Sequence, residues 1–120
     1  MARILAVDDS PSMRQMVSIA LAGAGYEVEQ ACDGVEALVM AQKSRFDLVI
    51  TDVNMPNMDG ITLVRELRSK AGYKFTPLLV LTTEATQERK QQGKAAGATG
   101  WLVKPFNPDR LLATIAKVLA

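Results

Sequence analysis

Short apolar runs alternate along the chain with stretches whose apolar residues recur at helical spacing. Residues 3–8, Arg-Ile-Leu-Ala-Val-Asp, read as a buried strand. Ser10-Pro11 follows as an N-cap with proline at the first helical position. Met13, Met16, Val17, Ala20, Leu21 and Ala24 then give an amphipathic helix, which Gly23 and Gly25 end. Tyr26–Ala31 is a second strand, and Asp33-Gly34 opens a helix carrying Val35, Leu38 and Ala41. Asp47–Asp52 is a third strand, apolar through its centre, followed by a helix over Gly60–Lys70 with Leu63, Val64 and Leu67 on one face. Pro77–Thr82 is a fourth strand, residues 86–96 a polar, weak helix, and Gly100–Val103 a short fifth strand. Pro108–Leu119 is the last helix, with Leu111, Leu112, Ile115 and Leu119 inward. Repeated β–α alternation with continuously apolar strands predicts an α/β fold: a doubly wound, five-stranded parallel sheet with helices on both faces.

Composition narrows the function. The chain has 120 residues, enough for one domain with a real core. No apolar run approaches the ~20 residues of a spanning helix, and the N-terminus meets a double acid too soon for a signal peptide. A cytoplasmic protein without a membrane segment is expected. Cys32 is the only cysteine, so no internal disulfide can form. Fourteen basic and thirteen acidic residues nearly cancel, without the basic stripe that nucleic-acid binding needs. The absence of histidine removes the usual general base and excludes a zinc site built from several Cys and His.

Parallel sheets bind ligands beyond the carboxyl ends of their strands. Those ends carry Asp8-Asp9, Asp52, Thr82-Thr83 and Lys104-Pro105. Three converging carboxylates repel one another and call for a counter-charge, which a hard divalent cation such as Mg²⁺ supplies. Lys104 offers a positive point charge for phosphate and Thr82 a hydroxyl donor. Together they are the parts of in-line phosphoryl transfer, with Asp52, nearest the sheet centre, as the nucleophile. A lone strand-end Asp is ordinarily a cap or loop residue, and Asp8-Asp9 before Ser-Pro would pass for a capping cluster. The conjunction of four strand ends is what points to chemistry.

These residues name a family. The chain resembles, over its whole length, the receiver domain of two-component response regulators, specifically the stand-alone, CheY-like chemotaxis type. The marks are Val7-Asp8-Asp9-Ser10, the run Asp52-Val-Asn-Met-Pro-Asn-Met-Asp-Gly60, Leu81-Thr82 and Lys104-Pro105-Phe106. The resemblance implies a flavodoxin-like strand order 2-1-3-4-5. It implies a single receiver domain over 1–120 with no effector domain, acting as a monomer. Asp52 would be the phosphoacceptor. Asp9, Asp52 and the backbone carbonyl of Asn54 would ligate Mg²⁺ (or Mn²⁺), with Asp8 acting through water. Thr82 and Lys104 would hold the phosphoryl group, the Lys104–Pro105 bond would be cis, aiming the ammonium inward, and Thr82 with Trp101 would form the switch. Met55-Pro56 and Asp59-Gly60 would shape the loop into the third helix. A histidine kinase would be the phosphodonor. A target protein, in chemotaxis a flagellar-motor switch protein, would bind the surface of helix 4, strand 5 and helix 5. The alternative is a relay intermediate or phosphate sink that passes phosphate to a His-containing phosphotransfer protein. The domain would catalyse its own phosphorylation and dephosphorylation without being an enzyme on other substrates.

Three features depart from the family pattern. Trp101 is larger than the usual Tyr or Phe; the plainer reading is a half-buried strand tryptophan. Thr83 stands where a small residue is common and could crowd the phosphoryl group. The polar helix with Gly93 reads as a solvated surface helix, or alternatively as a movable partner surface. Three rival classes fit worse, among them a phosphorylation-independent interaction module, since nothing in the sequence disables the site. An Asp-nucleophile phosphatase wants a second acid two residues on, where Asn54 stands, and a dinucleotide-binding domain wants a Gly-rich turn where this chain has Asp8-Asp9-Ser10-Pro11.

Overall fold

The structure is a computed structural model and describes residues 2–120. Five strands and five α-helices alternate: β1 (Arg3–Val7), α1 (Pro11–Gly23), β2 (Glu27–Ala31), α2 (Gly34–Lys43), β3 (Leu48–Thr51), α3 (Gly60–Arg68), β4 (Leu78–Thr82), α4 (Gln87–Ala96), β5 (Gly100–Val103) and α5 (Pro108–Leu119). All strand pairs are parallel, in the order β2-β1-β3-β4-β5. The expected fold class and strand order are both met.

Side chains alternate across a strand, so each strand feeds two cores. Leu5, Val7, Val49, Leu78 and Val80 face α2, α3 and α4. Ile4, Ala6, Leu48, Ile50, Leu79 and Leu81 face α1 and α5. Helix starts follow local chemistry: Ser10, Asp33, Asp59, Thr86 and Asn107 each accept a first-turn backbone N–H, which satisfies a donor the helix cannot.

Burial differs from the periodic reading in several places. Only β3 and β4 are buried throughout, and β1 is buried from Ile4 on; β2 is an edge strand with Glu27, Glu29 and Gln30 exposed. On α1, Met16 is 54% exposed and Ala24 is exposed. Ser18 is buried in their stead, its hydroxyl donating to the Arg14 carbonyl at 2.8 Å. Val35 on α2 is likewise exposed, while Ala37 and Ala41 face the core. Helix α3 stops at Arg68 rather than Lys70, and a short 3-10 turn, Ala71–Tyr73, precedes β4.

Candidate metal and phosphoryl site

The chain leaves β1 toward β2 on one side and returns through β3 on the other, so the order reverses between β1 and β3. A crevice opens at such a reversal beyond the strand ends. Asp8 and Asp9 follow β1, and Asp52 follows β3. Their carboxylate oxygens lie within 4.8 Å of one another, with Asp8 and Asp52 buried and Asp9 exposed. Three hard oxygen donors at that spacing fit Mg²⁺ or Mn²⁺, which favour carboxylate and water ligands.

The Asp8 and Asp52 carboxylates are held by backbone donors. The Asp8 carboxylate accepts the Ser10 N–H at 2.9 Å, and its carbonyl accepts from the Arg14 guanidinium at 2.7 Å. One Asp52 oxygen accepts the Val53 N–H at 2.7 Å. The Asp52 N–H donates to the Val7 carbonyl at 3.0 Å, tying β3's end to β1's. Gly60 packs so close that a Cβ there would lie 1.8 Å from the Asp52 carbonyl oxygen. The loop between them therefore requires glycine, and its approach defines where Asp52 sits.

Lys104 crosses from the end of β5. Its Nζ lies 2.8 Å from Asp8 Oδ2 and 3.2 Å from Asp52 Oδ2. Burial works against the ammonium charge, but the hydrogen bond to Asp8 and the charges of Asp52 and Asp8 outweigh it, so the Lys104 pKa is raised above its ordinary value. The Lys104–Pro105 peptide is cis, as expected.

Thr82 ends β4 fully buried, and its Oγ1 accepts the Glu84 N–H at 3.2 Å. Among the described residues it makes no hydrogen bond to Asp52. Thr83 and Asn54 are both exposed. Trp101, half-buried, donates its indole N–H to the Glu84 carbonyl at 2.8 Å. The expected residues Asp8, Asp9, Asp52 and Lys104 thus meet in one cluster; Thr82 and Trp101 meet each other through Glu84.

Sequence reasoning missed three contributors. Arg14 sits on the polar side of an amphipathic helix, where a surface role is the default, yet it joins the Asp8 carbonyl to Gln30 (3.1 Å). Asp33 and Asn57 lie 24 residues apart and bond at 2.7 Å, joining the start of α2 to the loop after Asp52. Asn57 has φ 69, a left-handed conformation that asparagine tolerates. An asparagine in the Asn57-Met-Asp-Gly60 run was the one signal the sequence offered.

Comparison with known proteins agrees with this geometry. The model of the response regulator receiver domain matches residues 4–116. The chemotaxis protein CheY-3 of Vibrio cholerae is 39% identical over 117 residues, covering 97% of this chain and 90% of that protein. The crystal structure of Vibrio cholerae chemotaxis protein CheY4 at pH 4.0 is 64% identical, covers 98% of each chain and superposes with a TM-score of 0.95. The response regulator TrrA of Thermotoga maritima, solved in complex with Mg²⁺-BeF, is 36% identical with a TM-score of 0.88, covering 98% of this chain and 99% of that one. The chain belongs to the response regulator receiver family, with stand-alone chemotaxis proteins among its relatives.

Proposed function

We propose that this receiver domain accepts a phosphoryl group on Asp52 from the phosphohistidine of a partner kinase. The observation that carries the reading is the Lys104 ammonium bridging Asp8 and Asp52 inside a cluster of three carboxylates. An Asp52 oxygen attacks phosphorus in line, the P–N bond to the donor imidazole breaks as the P–O bond forms, and an acyl phosphate results. Asp9, Asp52 and the Asn54 carbonyl would hold the divalent cation, with Asp8 acting through water. When bound, the cation neutralises charge on the transferring group and the acids around it. Lys104 keeps its charge at neutral pH and pairs with a phosphoryl oxygen, and the Thr82 hydroxyl donates to another. Water attack on the same phosphorus returns the carboxylate, so the domain resets itself.

The switch follows from the same parts. Thr82 turning its hydroxyl toward a new dianion gives up the bond from the Glu84 N–H. Glu84 also carries the Trp101 indole bond, so the β4–α4 loop and the tryptophan shift together. The readout surface is the neighbouring concavity of about 270 Å³, lined by Lys90, Trp101, Val103 and Arg110 on α4, β5 and α5 and by Phe106 in the β5–α5 loop. A target protein there, in chemotaxis a flagellar-motor switch protein, binds according to phosphorylation.

Incubation with acetyl phosphate and Mg²⁺ tests the reading by intact-mass spectrometry. One phosphate should add to the wild-type chain and none to Asp52→Asn. An unmodified wild type, or equal modification of Asp52→Asn, sinks it.

A further inference from the structure

The opposite end of the sheet carries a surface the phosphoryl site does not use. Phe75, in the loop before β4, is 90% exposed. It stands beside a concavity of about 260 Å³ lined in part by Arg45, Gly72 and Lys74. A second concavity of about 240 Å³ adjoins it, sharing Arg45 and Gly72 and adding Lys43.

The loop that presents Phe75 is tied down by hydrogen bonds on both sides. Arg68 has no carboxylate partner among the described residues; its guanidinium donates to the carbonyls of Tyr73 (2.8 Å), Thr76 (2.6 Å) and Gly97 (2.9 Å). The buried Tyr73 hydroxyl accepts the Phe46 N–H at 3.2 Å and lies 2.8 Å from the Ala41 carbonyl, fixing the α2–β3 loop to the same platform. A flexible loop would let the ring fold back against the protein. Here the backbone is already ordered on both sides of Phe75, so docking costs little further conformational entropy.

The surrounding charge is mainly positive. Lys43, Arg45 and Lys74 enter no ion pair among the described residues. One acid, Asp47, lines the same concavity, and its carboxylate is turned to the Arg3 backbone N–H at 2.8 Å. The helix dipole accounts for Lys43 at the end of α2, but Arg45 and Lys74 lie outside the α-helices.

We infer that Phe75 and the cations around it form a second docking surface, for an acidic segment of a partner protein that lays an apolar side chain against the Phe75 ring. Aromatic anchors ringed by unpaired charge give affinity at the centre and orientation at the rim. The surface is separate from Asp52 and does not depend on how Asp52 is used.

The ¹⁵N-labelled full chain, titrated with the synthetic peptide Glu-Glu-Leu-Glu-Glu-Leu-Glu-Glu at low salt, tests this. Chemical-shift changes should concentrate at residues 43–46 and 72–76. Phe75→Ser, at a fully solvated position, and Lys74→Glu should each weaken binding about tenfold. The peptide with Lys for Glu should not bind. Absence of binding, shifts centred elsewhere, or affinity untouched by Phe75→Ser each overturn the inference. So does self-association in sedimentation that Phe75→Ser abolishes without peptide binding, since the occupant is then a second copy. Acetyl phosphate labelling of Asp52 in the Phe75→Ser chain reads the other site independently.

Discussion

The indole N–H of Trp101 donates to the backbone carbonyl of Glu84 at 2.8 Å, across 17 residues of sequence. The Glu84 N–H in turn reaches Thr82 Oγ1 at 3.2 Å. The backbone of one residue therefore joins a buried hydroxyl at the end of β4 to a half-buried ring on β5. The larger ring of this chain finds its room over Gly93 of α4, where a Cβ would come within 2.6 Å of the indole. Tryptophan on β5 and glycine on α4 are a matched pair.

Gly93→Ala tests that pairing. Alanine is favoured over glycine by about 1 kcal/mol inside a helix, so α4 itself gains. The new methyl meets the movable end of a side chain, and the ring should swing outward. Trp101 emission should shift to the red and become more accessible to acrylamide, with the chain still folded. An unchanged spectrum counts against close packing at Gly93. In the wild type, the same emission should respond to phosphorylation if Trp101 follows Thr82.

Lys104→Ala leaves Asp8 and Asp52 facing each other without their cation. In a chelating buffer the variant should lose on the order of 2 kcal/mol of folding stability, because truncating one member of a buried pair strands the other charges. Added Mg²⁺ should restore more stability to the variant than to the wild type, and should bind the variant more tightly, since no ammonium competes. Urea unfolding with and without Mg²⁺ decides; equal stability of both chains in chelator contradicts the proposed balance.

Gly60→Ala should be among the most damaging single-methyl additions in the molecule. The methyl would need the space of the Asp52 carbonyl, a backbone group that cannot turn aside. A loss of about 3 kcal/mol is expected from overpacking of this kind, together with weaker Mg²⁺ binding. Wild-type stability and metal affinity in this variant would falsify the view that Gly60 sets Asp52.

Asp33 makes stability depend on pH. The Glu36 N–H and then the Asn57 amide donate to its carboxylate, holding its pKa below the ordinary value. A depressed folded-state pKa contributes stability that is fully present above the unfolded value, about 4, and is lost as pH falls through the folded value. The stability gap between wild type and Asp33→Asn should therefore shrink on acidification below about pH 4. Asparagine still caps α2, so the variant folds. A gap constant from pH 6 to acid leaves Asp33 without that role.

The order of elements was legible in the sequence because period and punctuation are local. Ser10-Pro11 and Asp33-Gly34 mark helix starts through caps that bond within a few residues. Asp8, Asp9, Asp52 and Lys104 were legible as a site because a parallel sheet sends all its carboxyl ends to one edge, so residue type at a strand end is enough to nominate them. Strand order came only with the family resemblance, and burial on α1 and α2 was misjudged at Met16 and Val35, where periodicity names a face but not the neighbour that covers it.

Contacts across long separations were decided by the tertiary structure. Lys104 meets Asp8 across 96 residues, and Asp33 meets Asn57 across 24. Arg14 and Arg68 show the same limit, since each reads as a surface base yet spends its donors on backbone carbonyls. By itself the sequence determined which groups stand at the ends of strands and helices, since local hydrogen bonding and hydrophobic period set those. Distances and partners at Asp52, Trp101 and Phe75 were decided by packing, because contacts and shape depend on neighbours that the chain brings together only after folding.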